Sequence, residues 1–304
     1  MSVIVFGPTG GVASVAALTA QEHGAEVYLA MRDTQKQIPG LSPENEQKGG
    51  FKRVQADLTN PESVAAAVKS SGAKRAFTYL AIGTPDQMRA TFAAMKSAGI
   101  ELVVFLSSYT VAGEPKDVPP ADLIPYIHAQ VEISLDEIYG QENYVALRPG
   151  GFATNLLRFK KGIQTGEVKV WAPGFKFDCI TLGDMGRVGG TILVHGPKNG
   201  QRKVYLYGPR LIAQGDAILT IGKAIGKDIT LATIGEKEAL EEYIAGGIPK
   251  PLAEYMIQKS ASTSNELTDR ACYDIGVENV ELYTGKPSTK FEDWVEENKE
   301  LFLA

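Results

Sequence analysis

Apolar positions along the chain follow two periods, and their alternation predicts the order of elements. Val3-Ile4-Val5-Phe6 is an unbroken apolar run ending at a glycine turn, the pattern of a strand buried on both faces of a parallel sheet. Val12, Val15, Ala16 and Thr19 then recur at helical spacing, Gly24 supplies a stop, and a second strand is predicted at 26–31. The stretch 34–50, rich in Pro, Gly, Gln and Glu, lacks a period and is predicted to be an exposed loop with at most a weak turn of helix and a mobile tip.

The rhythm then resumes with a strand at 53–56, a helix at 61–71, a strand at 76–81, a helix at 85–98 and a strand at 101–106. A Pro-rich link at 115–120 leads to a helix at 125–139 and a strand at 144–147. Alternation of this kind specifies an α/β fold, a Rossmann-type doubly wound parallel sheet. Beyond residue 150 the order is less regular: short strands at 168–171, 203–207 and 229–232 mix with helices at 212–225, 236–246 and 252–262. Residues 1–150 are therefore expected to form a nucleotide-binding domain. Residues 151–304 form a smaller α+β substrate region packed on it and partly interleaved, because no linker separates the two.

Composition narrows the classes. The chain has 304 residues, enough for a large core, and its 32 glycines exceed the usual share. A net charge of -5 with both signs interspersed offers no basic stripe, so nucleic-acid binding by this chain alone is excluded. No apolar run approaches the length of a membrane span, and the apolar start is too short for a signal segment, so a cytoplasmic address is expected. Cys179 and Cys272 are too isolated for a disulfide framework and are expected to be buried thiols. The spacing of His23, His128 and His195 rules out a metal-binding helix, and no metal is expected.

Candidate chemistry begins at the turn Gly7-Pro8-Thr9-Gly10-Gly11-Val12-Ala13, a G-x-x-G-x-x-A between the first strand and the first helix. Gly7, Thr9, Gly10, Gly11 and Val12 are placed to bring backbone N–H groups and a helix N-terminus against a pyrophosphate. Without that context, the glycines explain no more than a turn. Arg32 follows the second strand, where a guanidinium can grip a ribose 2′-phosphate, and this favours NADP(H) over NAD(H). Asp33 is adjacent and argues the other way, as an acid that would bind a 2′-hydroxyl; a solvated Arg/Asp pair is the plain alternative. Asp57 and Leu58, with Ala81 and Gly83, close the third and fourth strands, where ligands of open α/β sheets bind. Asp57 could equally cap the helix that begins near Pro61.

These features form an ordered set: VIVFGPTGGVAS at the start, Met31-Arg32-Asp33, Ala56-Asp57-Leu58, Leu106-Ser107-Ser108, Leu147-Arg148-Pro149-Gly150, Tyr283-Thr284-Gly285-Lys286-Pro287 and Phe291-Glu292-Asp293-Trp294. In that order they resemble the NmrA-like group of atypical short-chain dehydrogenases/reductases, nearly end to end. The resemblance implies NAD(P) bound at the strand ends, a C-terminal substrate region, and membership among either reductases or nucleotide-sensing regulators. It also implies a Tyr-x-x-x-Lys helix in reductases, where lysine favours the tyrosinate and grips the nicotinamide ribose. Here the matching helix reads Tyr126-Ile127-His128-Ala129-Gln130, and Gln130 stands at the lysine's cofactor-binding position without its charge. His128 could supply a proton instead.

Ser107, Ser108 and Tyr109 are placed to turn hydroxyls toward the nicotinamide, or merely to satisfy backbone at a strand end. Pro149, Gly150 and Phe152 would wrap the nicotinamide end, with Asn155 entering the substrate region; a rigid strand exit is the alternative. Phe291, Trp294 and Phe302 are expected in the core. Two functions follow. The first is an NADPH-dependent reductase of a small or medium organic substrate with a carbonyl or conjugated double bond, using Ser107, Tyr109, Tyr126 or His128. The second is an NADP(H)-sensing regulator that signals to a protein partner. Gln130 favours the regulator, the C-terminal region and the hydroxyl-rich strand end suit either, and the enzyme is the reading expected.

Overall fold

The computed structural model describes residues 1–261 and 270–303. In chain order the first half runs β1 (Ser2–Phe6), α1 (Gly11–Glu22), β2 (Glu26–Met31), α2 (Pro43–Gly49), β3 (Lys52–Gln55), α3 (Pro61–Ser71), β4 (Arg75–Tyr79), α4 (Arg89–Ala98), β5 (Leu102–Leu106), α5 (Leu123–Tyr139) and β6 (Tyr144–Pro149). The second half runs α6 (Lys160–Thr165), β7 (Glu167–Val170), β8 (Lys176–Phe177), α7 (Leu182–His195), β9 (Lys203–Leu206), β10 (Ile212–Ala213), α8 (Gln214–Ala224) and β11 (Thr230–Thr233). It closes with α9 (Glu236–Ala245), α10 (Lys250–Ala261), α11 (Tyr273–Thr284), α12 (Phe291–Asn298) and α13 (Glu300–Leu303).

Seven strands form one parallel sheet in the order β3-β2-β1-β4-β5-β6-β9. The period of two along β1 divides it between two layers. Val3 and Val5 join a core with α1, α7 and α11, while Ile4 and Phe6 join another with α3, α4 and α5. A third core lies beside the sheet, where Leu156, Ile163, Val168, Ile218, Trp294 and Phe302 meet. Phe291, Trp294 and Phe302 are buried, as their helical spacing predicts.

Several boundaries differ for local reasons. The 34–50 stretch contains α2, whose first turn is capped by the Ser42 hydroxyl and held by the Arg53–Glu46 ion pair. Helix α4 begins at Arg89 rather than 85, because Gln87 and Met88 take positive φ. Strand β4 stops at Tyr79, two residues before the expected end. The 252–262 helix is observed as α10, and Ser262 lies outside the described residues. Cys179 is buried, but Cys272 is exposed, since it stands at the N-cap of α11 instead of inside the helix.

Two elements come from beyond residue 150 to complete the sheet. Strand β9 pairs parallel with β6, and α7 lies against α1. Helix α7 carries Gly183, Gly186, Gly189 and Gly190, a composition that argues against a helix by propensity alone. Its glycines serve approach: a methyl at Gly186 would come 2.4 Å from Val15 Cβ, and one at Gly190 2.6 Å from the Ala16 carbonyl oxygen. The Thr181 hydroxyl caps its first turn by accepting from the Asp184 amide.

Candidate functional site

Strand order reverses between β1 and β4, so the crevice outside their C-terminal ends is where an open α/β sheet takes a ligand. A cleft of about 300 Å³ lies there. Gly7, Thr9, Arg32, Asp57, Leu58 and Ala81, drawn from four separate strand ends, all line it. Gly10, Gly11, Val12 and Gly83 are not part of its lining, although Thr9 and Ile82 beside them are. Local chemistry explains this convergence: each apolar strand ends in a turn residue whose side chain or bare backbone is left at the sheet's edge.

The glycines of the first turn have different reasons to be glycine. Gly7 has φ +67° and carries the Tyr79 ring against it, while a methyl at Gly11 would come 2.5 Å from Leu182 Cδ1. Gly10 is different. It has ordinary extended backbone, is exposed, and a methyl on it would meet only the Gly7 carbonyl oxygen at 3.4 Å. It is also the N-cap of α1 and offers no side chain to that helix's first N–H groups; α4, α5, α8, α9 and α11 lack a side-chain cap as well, so what sets Gly10 apart is its exposed, uncrowded backbone. The protein's own packing thus leaves both the space over Gly10 and those donors open to an anion. Val12 is buried and packs into the core, so only its backbone faces the turn.

Arg32 is exposed at the cleft, and its side chain makes no ion pair or hydrogen bond among the described residues. Asp33 is not part of the lining; its carboxylate accepts from the Gln35 amide. Asp57 does not cap α3, because Asn60 does so through the Glu62 and Ser63 amides. Its Oδ1 instead accepts from the Thr59 amide and hydroxyl. These bonds, the amide's first, hold its carboxyl below the usual range, and Arg32 adds to the effect.

The other predicted residues gather at the ends of β5, α5 and β6. Ser107 is buried and donates to Glu132 Oε1 at 2.5 Å. Glu132 and Arg148, both fully buried, form a two-toothed ion pair, Nη2 to Oε2 at 2.6 Å and Nε to Oε1 at 3.1 Å, and Arg148 also donates to the Tyr205 hydroxyl. Ser108 bonds Thr110. His128 Nδ1 lies 2.9 Å from the Ile124 carbonyl oxygen. Burial lowers the His128 pKa and outweighs the opposing Ile124 bond and Glu132 charge, so its ring is neutral near pH 7.

Tyr126 and Gln130 are half-buried on α5, one turn apart. Tyr109 is fastened by its amide to the Pro149 carbonyl, and its ring meets Tyr207 edge-on and lies 5.7 Å below the Arg270 guanidinium. Gly150 is glycine because of a neighbour: a methyl there would come 2.3 Å from the Asp178 carboxylate. Asp178 is buried, accepts from the Gly151 and Gly208 amides, and approaches Arg270 at 3.8 Å, while Phe152 bridges to Ile180 and Asn155 is exposed.

Sequence reading passed over Tyr79, Glu132, Asp178 and Arg270. Only Glu132 carried a signal, an acid on the inward face of a strongly apolar helix. Among the described residues no group of three or more His, Cys, Asp or Glu side chains could hold a metal ion, and no helix is long and apolar enough to cross a membrane.

Comparison with known proteins agrees with this architecture. The chain is 35% identical to a nitrogen metabolite regulation-like protein of Gibberella fujikuroi, over 96% of this chain and 95% of that one. Its fold is similar to that of an NADPH-dependent quinone oxidoreductase of Escherichia coli, with TM-score 0.69, 17% identity, and 97% and 98% of the two chains covered. It is also similar to a Citrobacter triphenylmethane reductase complexed with NADP(H), with TM-score 0.71, 14% identity, and 98% and 99% covered. The NmrA-like family pattern matches residues 1–295, and the chain belongs to that family.

Proposed function

We propose that the chain binds NADP(H) in the cleft at the ends of β1 to β4 and acts as an NADPH-dependent reductase of an electron-poor conjugated substrate such as a quinone. Gly10 carries the nucleotide part of this reading, because its bareness serves nothing in the protein and leaves open space over uncapped helix donors. Arg32 supplies the preference for NADP(H), being an unpaired guanidinium in the cleft that Gly7 and Thr9 also line, while Asp33 is occupied by its own turn.

The acceptor class follows from the proton donors. Bound NADPH would supply the hydride. A simple ketone becomes an alkoxide as hydride arrives and needs a positioned acid at that moment. A quinone becomes a stabilised, phenolate-like anion that water can protonate afterwards. Ser107 donates to Glu132, His128 is held neutral, and Gln130 brings no charge to Tyr126, so the residues suit the second case. Tyr109 and Tyr126 would then orient the substrate. The named activities of the Escherichia coli and Citrobacter proteins support the same class.

The occupied donors also favour a second reading, a nucleotide sensor without turnover, in keeping with the regulatory name of the Gibberella fujikuroi relative. Two measurements separate them. Calorimetry should show NADPH binding that Gly10→Val abolishes in a folded protein and that Arg32→Ala weakens at least tenfold more than NADH binding. NADPH oxidation should then proceed with quinones and not with simple ketones. Rapid ketone reduction would refute the acceptor class. Binding without turnover of either panel, with different protease-cleavage patterns for NADP and NADPH, would establish the sensor.

A further inference from the structure

Tyr79 ends β4 directly beside β1, and its ring is pressed against the first glycine of the turn. A methyl at Gly7 would lie 2.4 Å from its Cε1 and 3.0 Å from both Cζ and the hydroxyl oxygen. Tyr79 stays 38% exposed and opens onto the cleft shared with Arg32 and Asp57.

Its hydroxyl has no hydrogen-bond partner among the described residues. Burial raises its pKa, Arg32 opposes and Asp57 assists, so the phenol keeps its proton and is a donor. The cleft therefore holds a partly exposed tyrosine, its unused neutral donor and an unpaired guanidinium, which together suit a sugar bearing phosphate.

We infer that Tyr79 is a binding residue for the adenosine half of the dinucleotide, its hydroxyl donating to a nucleotide phosphate while its ring packs against the adjoining sugar. This rests on the nucleotide reading of the cleft. It also gives Gly7 a reason independent of any ligand: a side chain there would displace the tyrosine.

The test is calorimetric titration of NADPH, NADH and 2′,5′-ADP onto the full chain and onto Tyr79→Phe and Tyr79→Ala. Tyr79→Phe keeps the ring and the packing on Gly7, so its melting temperature should match the parent's. Its affinity for NADPH should fall about tenfold, the worth of one hydrogen bond to a charged group, and Tyr79→Ala should lose more. Unchanged NADH affinity would identify the 2′-phosphate as the acceptor, and an equal loss for NADH would identify the pyrophosphate; either outcome supports the inference. If Tyr79→Phe binds all three ligands as tightly as the parent, the inference is overturned and the reading of the cleft survives. If the parent itself binds none of them, both fall together.

Discussion

The Glu132–Arg148 pair shows how single residues define the space around the strand ends. Both groups are fully buried, and two charges out of water remain stable only while each satisfies the other. Arg148→Met should therefore cost about 3 to 5 kcal/mol in urea unfolding, because it strands the Glu132 carboxylate. Adding Glu132→Gln to that variant should recover part of the loss. A loss below about 1 kcal/mol for Arg148→Met would mean that the pair is reached by water.

His128 yields a pH effect of known sign. Its folded pKa lies below the ordinary value of 6.5, so just below that pH the unfolded chain takes up a proton that the folded chain refuses. Stability should fall as pH drops below about 6.5, until the folded pKa is passed. His128→Gln should flatten this part of the profile, as read from urea midpoints measured across a pH series. An unchanged slope would assign it to other groups.

At the scale of elements, the contact that matters most for the cleft is between α1 and α7. Helix α1 starts directly after the turn whose Gly7 and Thr9 line the cleft, and α7 packs on α1 through Gly186 and Gly190, which admit no methyl. Gly190→Val should force the helices apart. Overpacking of this kind costs about 1 to 3 kcal/mol or more, and the displaced α1 should also bind NADPH more weakly, although residue 190 is far along the helix from the turn. Calorimetry and thermal unfolding on the same sample check both effects. Full affinity in a destabilised variant would mean that the turn is positioned by β1 alone.

On the scale of the whole molecule, the sheet depends on chain from both sides of residue 150. Strand β9 covers the edge of β6, and α7 and α11 complete with α1 the cover of one face. A fragment of residues 1–150 would expose that edge and that apolar face together. It should show no cooperative unfolding by circular dichroism and should aggregate. A fragment that unfolds cooperatively would show that six strands and one covered face suffice.

Local pattern by itself determined much of this protein. Buried runs such as Val3 to Phe6 and helical spacing such as that on α1 specify a parallel sheet with helices, and glycines after the first strand mark where the cleft must open. Gly7, Thr9, Arg32, Asp57, Leu58 and Ala81 were legible for the same reason: each stands at a strand end, and strand ends in this fold share one edge. Tertiary structure alone decided the rest. Helix α7 is hidden by its glycines, whose low propensity is offset only once α1 lies against them. The short run of β9 could have joined any sheet, and only β6's open edge selects it. Tyr79 against Gly7, Asp178 against Gly150 and Glu132 against Arg148 each join residues far apart in the chain. No period or spacing encodes such meetings, because they exist only where packing brings distant backbone and buried charge within a few ångströms.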